Sequence, residues 1–93
     1  MEQIDRIKNM EERLNHASQA VIQLSAALDN YIDAQEDISA LSAYYASDEW
    51  KRDFADDEAG RLPDSLKRGV LSEDAIWNLL ADSRDLNIRM QEL

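Results

Sequence analysis

Hydrophobic positions in the first half of the chain recur in alternating steps of three and four. The row starts at Ile7, ends at Ile38 and has one polar member, Gln35. We call it the seam, and its members are Ile7, Met10, Leu14, Ala17, Val21, Leu24, Leu28, Tyr31, Gln35 and Ile38. These steps place side chains on one face of a helix, and their repetition over several heptads is typical of coiled coils. We therefore predict one helix from about Gln3 to about Ala46.

A second periodic stretch lies at the C-terminal end of the chain. Its members are Ile76, Leu79, Leu80, Ser83, Leu86, Met90 and Leu93. Ser72 is a suitable N-cap, and Leu71 before it is placed to pack on Ile76. A helix of about 20 residues covers only half of the first helix. The N-terminal half of the seam, Ile7 to Leu24, therefore meets a second copy of the chain, meets a different protein, or stays partly exposed.

Both glycines and the one proline lie between Gly60 and Gly69. Asp64, or Leu62 before Pro63, can open a short helical turn over DSLKR, which Gly69 would close in the left-handed conformation. Period-two alternation is absent, and we expect no strand. The prediction is an all-α fold in which the long N-terminal helix packs antiparallel against the shorter C-terminal helix, with one or two short helices at the connection.

This prediction divides a single helical domain, residues 1–93, into three parts. They are the long helix (1–46), an aromatic corner with short helices (47–71) and the C-terminal helix (72–93).

The corner begins with YYASDEWKRDF, which holds four of the six aromatic residues of the chain. Ser47 is an N-cap candidate that ends the long helix and starts a short one, and Asp53 can accept a hydrogen bond from a tyrosine hydroxyl or an indole. The stretch is either a packed corner or an interaction hot spot, because Tyr, Trp and Arg are enriched at hot spots. The candidate binding residues are Tyr44, Tyr45, Ser47, Trp50 and Asp53 in the corner, and Val21 and Leu24 on the seam.

The pattern YYxSxxWxxD from Tyr44 to Asp53, followed by LKRGVLSEDAIWNLL from Leu66 to Leu80, resembles the bacterial family of unknown function numbered 4298. The resemblance covers nearly the whole chain. It implies a small, self-contained bacterial domain and brings no activity with it.

Charge narrows the possible partners. The chain has 20 Asp and Glu against 10 Lys and Arg, a net charge of −10. Such a field repels nucleic acids and anionic membranes, which draw affinity from cationic side chains, so we expect neither as a partner. The charged N-terminal stretch and the lack of a long apolar run lead us to expect a cytoplasmic protein.

Catalytic and metal-binding patterns are weak. The chain has no cysteine, and His16 is its only histidine. The acidic cluster at Asp53, Asp56, Asp57 and Glu58 lacks the glycine and late glutamate of a calcium loop. We expect no metal, no cofactor and no enzymatic activity.

Three functions remain open. The first is a protein-binding or accessory module that acts through the seam and the aromatic corner. The second is an acidic inhibitor of a basic partner, either an immunity protein or a nucleic-acid mimic, because net charge steers association. The third is a homodimer with a structural role.

Overall fold

The computed structural model describes residues 2–93, which form three α-helices and one 3₁₀ turn. Helix α1 spans Glu2–Tyr45, α2 spans Asp48–Glu58, the 3₁₀ turn is Gly69–Leu71, and α3 spans Ala75–Gln91. Residues 2–93 contain no strand. The all-α class with a long N-terminal helix is confirmed.

The chain divides into two compact units, one ending at Gln35 and the other spanning Glu36–Leu93. In the first unit the described residues all belong to α1, and every side chain from residue 2 to residue 30 is exposed. All of the buried side chains among the described residues lie in the second unit.

Ser47 separates α1 from α2 in the way the sequence predicts. Its backbone is extended, with φ −88° and ψ 159°. Its hydroxyl donates to the Tyr44 carbonyl oxygen at 2.5 Å and accepts from the Trp50 amide at 3.2 Å. One side chain thus bonds to the last turn of α1 and satisfies an amide of the first turn of α2.

Gly60 ends α2. Its φ is +71°, a conformation that favours glycine because a Cβ atom is strained there. Its amide donates to the Asp57 carbonyl at 3.0 Å, and the Arg61 amide donates to the Asp56 carbonyl at 2.9 Å. This pair of bonds is a Schellman motif, which satisfies carbonyl groups at the helix end.

The prediction of a helical turn over DSLKR, closed by a left-handed Gly69, is wrong. Residues 64–68 form no helix, and Gly69 instead begins the 3₁₀ turn without a positive φ. An ion pair to α2 holds the loop. The Arg68 guanidinium donates to the Asp57 carboxylate at 2.9 Å, and both side chains are partly buried. This contact joins residues eleven positions apart, so local turn signals do not contain it.

The second unit has a small core at the entry to α3. Leu71 is 5% exposed and Ile76 is 2% exposed, and they are the two buried residues among those described. The Ser72 hydroxyl donates to the Gly69 carbonyl at 2.9 Å and accepts from the Ala75 amide at 3.2 Å. Ser72 thus bonds to the first amide of α3, but the prediction that it is the N-cap is wrong, because α3 begins at Ala75 and its N-cap is Asp74.

Within the second unit, α3 packs against the end of α1. Half-buried side chains recur at helical spacing on both helices: Ile38, Leu41 and Tyr45 on α1, and Leu80, Ser83 and Met90 on α3. Most of the other apolar side chains of α3 remain exposed. The second unit therefore has one small core and a partly covered helix pair.

Candidate functional site

The aromatic corner is an internally bonded cluster in the second unit. The Trp50 ring stacks on Phe54 with centroids 5.2 Å apart, and it meets Tyr45 edge to face at 4.9 Å. The Trp50 indole N–H donates to the Val70 carbonyl at 2.9 Å, which ties α2 to the 3₁₀ turn. These contacts have the geometry that aromatic pairs prefer, and they use the one polar atom of the indole.

Tyr44 and Asp53 form the polar part of the corner. The Tyr44 hydroxyl donates to Asp53 Oδ2 at 2.5 Å, and both side chains are half-buried. The hydrogen bond to the Asp53 carboxylate, followed by burial and the charges of Asp53 and Glu49, raises the pKa of Tyr44 to about 12. A tyrosine with a raised pKa stays protonated and acts as a hydrogen-bond donor, so this pair holds α1 and α2 together.

An open cavity of about 310 Å³ lies beside this pair. Its wall is mainly apolar and comes from the loop after α2 and the 3₁₀ turn; the lining residues are Tyr44, Asp53, Leu62, Leu66, Lys67, Val70 and Leu71. The sequence interpretation missed the last five, because no local pattern marks a loop that folds back on a helix end. The single signal available was the spacing of Leu62, Leu66 and Val70, which stand four residues apart around Pro63 and Gly69.

The seam residues of the first unit form an exposed apolar surface. Val21 is 68% exposed and Leu24 is 57% exposed. Four further seam positions are also exposed although they are large and apolar: Ile7, Met10, Leu14 and Leu28. Ile22, beside the seam, is exposed as well. Monomeric proteins rarely leave contiguous apolar surface of this kind in water, and such surfaces mark interaction sites.

A family model described as Domain of unknown function (DUF4298) matches residues 7–93 of this chain. The chain belongs to this family. The match confirms the resemblance and covers both the seam and the aromatic corner. Comparison with curated proteins and comparison with solved structures each return no match.

The DUF4298 chain also has a gap in its charge pattern at the seam. No Asp, Glu, Lys or Arg occurs from Leu14 to Leu28, although 32% of the chain is charged. We call residues 14–28 the charge-free segment. The sequence shows this gap directly, but the net charges of the N-terminal and C-terminal halves of the chain do not reveal it. Exposure and lack of charge together make this segment the most apolar surface of the first unit.

The predicted binding residues therefore lie in two separate groups. Tyr44, Tyr45, Ser47, Trp50 and Asp53 come together in the second unit, and Val21 and Leu24 lie on the first. The corner side chains bond to one another, whereas the seam side chains meet solvent.

Among residues 2–93, no group of three or more His, Cys, Asp or Glu is placed to hold a metal ion. Within the same residues, the helices lack the length of apolar sequence that a membrane crossing requires.

Proposed function

We propose that this DUF4298 protein is a non-enzymatic protein-binding module that docks through the seam of its first unit. One observation carries the proposal: the apolar side chains of the seam are exposed along four turns and more of a regular helix. A helix covers such a stripe by packing it against another helix or protein surface.

The polar groups of the aromatic corner support this assignment, because their hydrogen bonds are made inside the chain. The Trp50 indole N–H, the Tyr44 hydroxyl and the Ser47 hydroxyl each bond within the second unit. The Tyr44 hydroxyl, with its raised pKa, is a poor proton acceptor or nucleophile. We assign to the corner mainly the role of positioning α2 and the loop. The adjacent cavity is a secondary contact site for a partner.

The test compares two double variants of the full chain. Val21→Lys with Leu24→Lys puts two charges on the seam, and Gln19→Lys with Gln23→Lys puts the same charges on the opposite face of the same helix. Burying a Val or Leu side chain contributes about 1.5–3 kcal/mol, so the seam variant should lose at least about 100-fold in affinity. The control variant should keep its affinity.

Association is measured by light scattering of the purified chain and by pulldown, and circular dichroism checks that both variants stay helical. Loss of association in the seam variant alone supports the proposal. Equal association in both variants contradicts it, because a contact through the seam cannot tolerate two buried lysines.

An acidic inhibitor of a basic partner is the second candidate, and the charge distribution favours it for the second unit. Residues 36–93 contain 14 Asp and Glu against 7 Lys and Arg, a net charge of −7. Binding steered by that charge weakens strongly with salt, whereas seam binding does not. A partner that is held equally by the seam variant and lost at high salt supports this second function.

A further inference from the structure

The charge-free segment, residues 14–28, points to the chemistry of what covers the seam. Resting on the proposed function, we propose that the occupant is a second copy of this chain, paired antiparallel with the first across residues 10–28. Leu14 is 60% exposed and Val21 is 68% exposed, so the surface is open to a partner helix.

Charge favours a second copy over a basic partner. Each chain carries a net charge of −10, so two copies repel wherever their acidic surfaces meet. The charge-free segment removes that repulsion at the contact itself. A basic protein would meet no carboxylate along these four turns of helix, and its cations would lose water without gaining an ion pair.

The seam is also complementary to itself. An antiparallel register that places Leu14 against Leu24 of the second copy also places Ala17 against its Val21, and Met10 against its Leu28. Every layer occurs twice about a two-fold axis, which is the isologous contact of most homodimers. Alternating steps of three and four along the whole row provide the knobs and holes for such a pair.

The charges at the two ends of the segment select the antiparallel direction. All Lys and Arg residues of α1 lie before the segment, and Asp29 and Asp33 follow it. In the register above, residues 29–36, which hold three acidic residues and no Lys or Arg, lie along residues 2–9 of the second copy, where two acidic and two basic residues cancel. A parallel pair would set the three acidic residues along the same three of the second copy, and these like charges repel.

The experiment uses single cysteine variants of the full chain, which has no cysteine of its own. Met10→Cys and Leu28→Cys are oxidised separately and as an equal mixture, with one variant carrying a tag that changes its mass. In the proposed pair the two Met10→Cys sites are about 27 Å apart along the helix, at about 1.5 Å per residue, so neither variant can link to itself. The mixture forms the mixed disulfide, because residues 10 and 28 face each other.

Light scattering of the unmodified chain gives the second reading, and we expect twice the monomer mass of 10.7 kDa. A mixed disulfide together with that mass supports the proposal. Self-linked Met10→Cys or Leu28→Cys overturns the antiparallel pair. A monomer at every concentration overturns the second copy as occupant. If the unmodified chain then captures a different partner, and Val21→Lys/Leu24→Lys loses it, the protein-binding function still stands without the homodimer. A dimer that persists in that double variant overturns both.

Discussion

The two units of this chain use apolar side chains in opposite ways. In the second unit, Leu71 and Ile76 are buried, and Trp50 stacks on a neighbouring ring and bonds to a carbonyl. In the first unit, side chains of the same kind, such as Val21 and Leu24, face solvent. The difference lies in what surrounds them: the second unit folds back on itself through α2, the loop and α3, and the first is a single helix.

A single helix has no means of burying its own apolar stripe, and its stability comes mainly from tertiary or intermolecular packing. The second unit therefore holds the structure of the monomer, and the first unit presents the surface. This division is what makes the seam the stronger candidate for binding, because its apolar side chains are not used inside the chain.

The sharpest test of the comparison substitutes the same residue type in each unit. Ile76→Ala removes a side chain that is 2% exposed and should lower the free energy of unfolding by about 2–5 kcal/mol. Ile22→Ala, at a position outside the seam that is 67% exposed, should change it by less than about 0.5 kcal/mol.

Urea unfolding measures both variants. Tryptophan fluorescence reports the second unit, since Trp50 and Trp77 both lie there, and circular dichroism reports the helices of both units. Similar losses from the two substitutions would mean that Ile22 is buried in solution, and the contrast between the units would then fail.

The Tyr44–Asp53 bond gives the second prediction, which concerns pH. The pKa of Tyr44 is about 12 in the folded chain, above the ordinary tyrosine value of 10.0, so folding favours the protonated form. Its stabilisation is therefore complete below pH 10 and is lost as the pH rises from 10 to 12. Tyr44→Phe should cost about 1.5 kcal/mol at neutral pH, at the low end for a bond to a charged group because the site is half exposed.

Tyr45→Phe is the matched control, because it removes the neighbouring hydroxyl and leaves the ring contact with Trp50. The urea midpoint is measured from pH 8 upwards for the unmodified chain and both variants. The unmodified chain and Tyr45→Phe should lose stability faster above pH 10 than Tyr44→Phe. Parallel curves for all three would show that the hydroxyl of Tyr44 does not hold this bond in solution.

Much of the second unit follows from local signals in the sequence. Ser47 caps α2 as predicted, and Asp53 accepts from a tyrosine, one of the two kinds of donor that the sequence suggested. Ser72 bonds to the first amide of α3, although the N-cap of that helix is Asp74. Each of these bonds joins residues within ten positions of one another, which is why the local sequence indicates them.

What the sequence left open depends on contacts over longer distances. The loop after α2 is held by Arg68 on Asp57 and by Trp50 on the Val70 carbonyl, and neither bond has a local pattern. The extent of exposure on the seam was also undecided, because periodicity identifies an apolar face without saying what covers it. The wrong choice of left-handed glycine has the same origin, since both glycines follow a stretch that can be helical.

That choice leads to the smallest predicted effect, which compares the two glycines directly. Gly60 has φ +71°, Gly69 does not have a positive φ, and a Cβ atom at either position would meet nothing within 4 Å. Because space is equal at both sites, backbone conformation alone separates them.

Gly60→Ala should cost about 1 kcal/mol, since an L-residue is strained in the left-handed region. Gly69→Ala should be neutral or stabilise the fold by up to about 1 kcal/mol, because alanine restricts the unfolded chain. Urea unfolding followed by tryptophan fluorescence measures both variants. A larger loss of stability at Gly69 would show that Gly69, after DSLKR, is the left-handed residue, and it would contradict the Schellman motif at the end of α2.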